Sequence, residues 1–189
     1  RADTAKWSGA AWAPFTASYF AFGGVNGTPQ WIKLASNPNP GSTYADYIAA
    51  TAVDSVADWN ASVWTGSGWA FQQTENTSVN NVNNSARTID IAWESNGNEL
   101  VAVSARGAVT NGVLYSTWIA GSWQTTFAAA PNVGTWTGLV NGVQLEADPN
   151  TDSIILNAVS ASNDLRAANW NGASFSIGPT HTTNISANA

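Results

Sequence analysis

One spacing recurs four times in this chain and limits what it can fold into. Trp7-Ser-Gly-Ala-Ala-Trp12, Trp64-Thr-Gly-Ser-Gly-Trp69, Trp118-Ile-Ala-Gly-Ser-Trp123 and Trp170-Asn-Gly-Ala-Ser-Phe175 each hold two aromatic residues five positions apart, with glycine between them. The leading tryptophans stand 57, 54 and 52 residues apart. A second marker keeps phase with the first. Ile32-Lys33-Leu34, Ile89-Asp90-Ile91 and Val143-Gln144-Leu145 alternate apolar and polar residues, and each begins 20 residues after the second tryptophan of the preceding pair (12 to 32, 69 to 89, 123 to 143). Two independent markers in step define an internal repeat, and long fixed periods are the signature of stacked repeat architectures.

Each repeat reads as four strands. The first is the alternating stretch. The second is rich in small and branched residues, over 48–53, 100–105 and 154–159. The third runs into the leading tryptophan, over 59–64, 113–118 and 165–170, and the fourth starts at the second aromatic residue. Glycine between the third and fourth permits a tight turn. Asn-Pro-Asn-Pro-Gly at 37–41, Ser-Asn-Gly-Asn at 95–98 and Asp-Pro-Asn-Thr-Asp at 148–152 are turn sequences between the first and second. One segment pulls the other way. Tyr44, Tyr47, Ile48, Thr51, Ala52, Ser55, Val56 and Trp59 fall at helical spacing. The equivalent segments of the other repeats are strand-like, so the repeat decides for strand.

The expected fold is therefore all-β, with antiparallel four-stranded repeats of about 54 residues arranged as propeller blades. The chain divides into a half blade (1–24) and blades over 25–81, 82–135 and 136–189. The alternative is a β-sandwich. Three and a half blades are too few for a ring of four to eight, so the chain reads as part of a larger chain or as a subunit that associates with copies of itself. It starts on Arg1, without an initiator Met or a signal-peptide pattern, so Arg1 reads as a cut end.

Composition excludes several functions. The net charge is −6 and only six residues are Lys or Arg, too few to neutralise many phosphates, so no nucleic-acid partner is expected. Hydrophobic residues make up 44%, which argues against disorder. No apolar run reaches the length of a membrane span. Cysteine is absent, removing disulfides, thiolate chemistry and Cys-ligated metals. A charge-poor surface rich in Asn, Ser and Thr points to an extracellular or cell-surface location.

The hairpins resemble those of secreted propellers with Asp-box-like turns, including sialidase-type folds and fucose-binding propeller lectins. Of the pattern Ser–x–Asp–x–Gly–x–Thr–Trp, the segment from Ser62 to Trp69 keeps Ser62, Gly66 and Trp69, with Trp64 in the place of the Asp. The third hairpin keeps Ser116 and Trp123 and moves the glycine to Gly121. The resemblance implies a propeller. For sialidase chemistry it also implies an arginine cluster beside a tyrosine nucleophile. Arg1, Arg87, Arg106 and Arg166 fall at four different repeat positions and form no such cluster in the sequence.

The tryptophans sort by repeat position. Trp7, Trp64, Trp118 and Trp170 form one column; Trp12, Trp69, Trp123 and Phe175 form another. A residue type present in every repeat reads as a packing staple. Trp59 and Trp136 align with aliphatic residues and read as core. Two tryptophans break the pattern. Trp31 aligns with Thr88 and Gly142, and Trp93 with Ser36 and Ala147. They fill local gaps or offer stacking platforms for sugar rings. Glu94 follows Trp93, and Asn37 and Asp148 share its repeat position. Trp93, Glu94 and Trp31 are the candidate ligand-binding residues.

No catalytic constellation stands out. The four Glu and eight Asp fall mostly on turns, and His181, in a Thr-rich tail, is a poor triad member. Asp148, Asn150 and Asp152 have calcium-loop spacing but lack the Gly and Glu that complete such a loop, so an Asx turn is the simpler reading. No metal or cofactor is expected. The expected function is a non-catalytic recognition module for a glycan or surface polymer, with a homo-oligomer as a second prospect. The alternatives are a structural subunit of an extracellular filament or surface layer, and the non-catalytic part of a glycoside hydrolase.

Overall fold

The computed structural model describes residues 5, 7–12, 27–71, 79, 86–107, 112–124, 128–129 and 138–183. Most of the half blade expected over 1–24 lies outside these residues, as does Trp136. Among the described residues three antiparallel sheets follow one another along the chain. Sheet one holds β1 (Pro29–Ser36), β2 (Ile48–Asp54), β3 (Trp59–Trp64) and β4 (Trp69–Phe71), in that order. Sheet two holds β5 (Ile89–Trp93), β6 (Leu100–Ala105), β7 (Val113–Ile119) and β8 (Ser122–Trp123). A short β9 (Ala128–Ala129) pairs β7 beyond β8, so β8 and β9 act as one interrupted fourth strand. Sheet three holds β10 (Val140–Ala147), β11 (Ile154–Ser160), β12 (Asp164–Trp170) and β13 (Phe175–Thr183).

The registers repeat with the sequence. Leu34 pairs Ala50, Ile91 pairs Ala102 and Leu145 pairs Leu156, three equivalent cross-strand partners. Tyr44 to Asp46 form turns, with the Tyr47 N–H donating to the Tyr44 carbonyl at 2.9 Å, and the chain then enters β2. Tyr44 and Tyr47, the first two residues at helical spacing, pack on each other at 5.1 Å in the turn, and the rest of the pattern falls in strands and their hairpin. In all four hairpins a glycine takes positive φ (Gly9, Gly66, Gly121 and Gly172, between 82° and 94°), a conformation costly for residues with a Cβ. The aromatic pairs flank these turns with ring centroids 5.3–5.6 Å apart, the tilted or edge-on contact that aromatic quadrupoles prefer.

The sheets stack face to face in series, with β5 lying against β1 on one side and β10 on the other. This is a propeller-like arrangement, and three layers in series rule out the two-layer sandwich. The seam between sheets one and two buries Val53, Trp59, Ile89, Ile91, Leu100 and Trp118. The seam between sheets two and three buries Val101, Val103, Val113, Ile154, Leu156 and Trp170. Each fully buried aliphatic side chain contributes about 1.5–3 kcal/mol. Sheet two is covered on both faces and all of β6 is buried; β2 is buried too after Ile48, its Ala50 and Ala52 packing with Trp69. In β11 burial alternates, as expected for a strand with one covered face.

Candidate functional site

The turns joining first and second strands gather at one end of the stack. There the shared repeat position is filled by Asn37, Glu94 and Asp148, with three different outcomes.

Asn37 is 8% exposed and serves its own turn, accepting the Asn39 N–H at 2.9 Å and donating to Ser42 Oγ at 3.2 Å. Asn39 then donates to the Asn96 carbonyl at 2.8 Å, and Ser42 Oγ donates to Asn98 Oδ1, so sheets one and two are stitched by neutral groups. Asp148 is exposed. Its carboxylate accepts the Asn150 N–H and the Thr151 hydroxyl, each at 2.9 Å, which holds it below the usual carboxylate range. These bonds form an Asx turn.

Glu94 behaves differently. It is 2% exposed, and its Oε1 accepts the indole N–H of Trp170 in sheet three at 3.1 Å. Loss of water pushes its pKa up to about 7, and the nearby negative charges of Glu99 and Asp152 add to the effect against the Trp170 bond. Glu99 is raised as well, by burial and then by Asp152. Glycine lets the backbone close over the carboxyl. A Cβ on Gly97 would collide with the Glu94 carboxyl and come 3.2 Å from Asp152 Oδ1, and one on Gly172 would lie 3.6 Å from Glu94 Oε1. Glu94 is thus buried where sheets two and three meet, with half-buried Glu99 and exposed Asp152 close enough to raise its pKa.

The sequence-derived candidates separate. Trp93 is 2% exposed, packed into the seam between sheets one and two, and donates its indole N–H to the Ala35 carbonyl at 3.2 Å. It presents no open stacking face. Consecutive strand residues point to opposite sides, so Trp93 faces sheet one while Glu94 reaches sheet three. Trp31 packs against the same seam as Trp93, half-buried, near the start of β1. The partner that the sequence did not assign to Glu94 is Trp170, hidden among the packing columns. Its signal was the repeat itself: of the three turn residues sharing a position, only Glu94 combines an ionisable side chain with a following sheet.

No family model and no curated protein sequence matches the chain. Solved structures do match. A triple arginine-to-alanine mutant of AofleA from Arthrobotrys oligospora is similar at TM-score 0.51 and 12% identity, over 80% of this chain and 43% of that one. The fungal lectin of Aleuria aurantia, a six-bladed β-propeller with a fucose recognition mode, matches at TM-score 0.44 and 16% identity, over 81% of this chain and 48% of that one. A mutant of the same lectin in complex with α-methyl-L-fucoside matches at TM-score 0.47 and 13% identity, over 74% and 44%. The chain spans less than half the length of each. The likeness is one of fold. No helix among the described residues is long and apolar enough to cross a membrane.

Proposed function

We propose that the chain is a non-catalytic recognition module that binds glycan at the turn end of the seam between sheets two and three, in a notch formed where Glu94 meets Trp170. One observation carries this reading: a buried carboxyl, Glu94, is held across the seam by the Trp170 indole, with two further carboxyl groups above it. With a pKa near 7, Glu94 both accepts and donates hydrogen bonds at neutral pH. Sugar hydroxyls need partners of that kind, and Glu99 and Asp152 supply further acceptors at the rim. Trp93 and Trp31 support the neighbouring seam, which sets the turn carrying Glu94. The hairpin resemblance to fucose-binding propeller lectins agrees with a glycan ligand. The composition favours an extracellular or cell-surface setting, where such a module serves adhesion.

The test is a tryptophan-fluorescence titration with α-methyl-L-fucoside and a panel of other methyl glycosides, backed by a glycan array. Trp170 lies 3.1 Å from Glu94, so occupancy of the notch changes its emission. A saturable change that disappears in Glu94→Gln, with unaltered circular dichroism, is the expected result. Silence toward every glycan overturns the reading. Carboxyl groups with raised pKa values also suit glycoside hydrolysis; turnover of fluorogenic glycosides that Glu94→Gln abolishes would replace binding with catalysis.

A further inference from the structure

The two end faces of the stack are complementary halves of a seam the molecule already makes twice. Three repeat positions define the face each sheet turns toward the sheet before it. In sheet two they are Ile89, Ile91 and Leu100, no more than 1% exposed; in sheet three they are Val143, Leu145 and Ile154, no more than 5% exposed. In sheet one the same positions are Ile32, Leu34 and Ile48, and they are 49%, 59% and 40% exposed. The opposite face behaves likewise. Ala49 and Val53 of sheet one, and Val101 and Ala105 of sheet two, are fully buried against the next sheet. Their equivalents in sheet three, Ile155 and Val159, are 38% exposed and half-buried. Next to Val159 lies a shallow depression of about 340 Å³, also lined by Gly142, Gln144, Asn157 and Leu165, and shared with Val143 and with Arg87 from the segment before β5.

We propose that a second copy of this chain docks here, sheet three of each copy against sheet one of the other. The occupant follows from the repeat: sheet three of another copy presents the kind of face that covers these positions in both internal seams. The protruding Ile32 and Leu34 meet a face with a depression. A contact between two different patches closes only if its rotation returns to the start. Two copies bring six sheets, within the four to eight that propellers close with, whereas three fall short. At the join Asp148 holds the position of Glu94 and Trp64 holds that of Trp170, so each copy supplies one of the two repeat positions that meet in the notch. That last consequence rests on the glycan reading; the association does not, because Glu94 and Trp170 belong to one chain.

Light scattering and native mass spectrometry on the purified chain test the proposal. The expected species has twice the 19.7 kDa chain mass. Leu34→Lys spoils one face and Ile155→Glu the other, and both positions are exposed, so folding is retained and circular dichroism verifies it. Each variant alone is expected to be monomeric. Mixed, they are expected to regain dimers, because one junction then joins two unaltered faces. Monomers at every concentration would overturn the proposal and hand the face to the chain's own first residues or to further repeats of a longer chain. Open polymers would overturn the closure. Dimers that survive either substitution would place the contact elsewhere.

Discussion

The two internal seams share their repeat positions and differ at the turn end in one side chain. At the turn end of the first, Asn37 satisfies itself within its own loop, and the sheets are joined by amide and hydroxyl groups. At the same place in the second, Glu94 leaves its loop and takes the Trp170 N–H. The equivalent indole in the first seam, on Trp118, is buried with no partner. Further along, the second seam adds another carboxylate. Asp90 of β5 is fully buried, accepts the Leu145 N–H at 2.9 Å and pairs with Arg87 at 3.0 Å. Both seams have the apolar packing that repetition guarantees. The second also carries ionisable groups in a desolvated place, which is where titration and ligand chemistry concentrate.

The sharpest way to break the contrast is Trp170→Ala. It removes a side chain 1% exposed and strands the Glu94 carboxyl, and it is expected to cost about 3–5 kcal/mol in urea denaturation. A pH series comes next. Glu94 titrates near its ordinary 4.5 when unfolded and at about 7 when folded, so the folded state binds the extra proton between those values. The Glu94 contribution to stability is therefore full at and below about pH 4.5 and is lost as pH rises through 7, about 3 kcal/mol in all. Glu94→Gln flattens that slope; a slope that persists in this variant would assign it to other groups. Paired Trp→Phe changes then isolate the hydrogen bond. Trp170→Phe is expected to cost about 1–3 kcal/mol more than Trp118→Phe, because only Trp170 has an acceptor to abandon. Equal costs would mean that the Glu94 contact adds nothing. The smallest effect belongs to the neutral seam, where Asn39→Ala removes its bond to Asn96 and costs about 0.5–1.5 kcal/mol by the same assay.

Much of the fold was legible because two periods coincide in this chain. Alternation marked the first strands, the Trp-to-Trp spacing marked the hairpins, and β2, β3, β6 and β7 begin where the repeat predicted. Even the ambiguous 44–59 segment was resolved by its equivalents. The notch was half legible. Glu94 stood out against Asn37 and Asp148, but sequence adjacency suggested Trp93 as its companion. The strand pleat sends those two side chains to different seams, and the true partner lies 76 positions away, on a column that looked purely structural. A repeat alignment reports which positions are equivalent. It does not report which face is covered, because that depends on what lies before and after each unit. Ile32 and Ile89 are the same residue in the same place, and only one is buried.

The burial of β6 on both faces has a consequence for how the molecule moves. In a linear array each unit is stabilised by itself and by the neighbours it touches. The end units have one neighbour and the middle unit has two. Amide hydrogens of β6 should therefore exchange with solvent only when the whole stack opens, while those of β1 and β11 exchange through partial openings that peel away from either end.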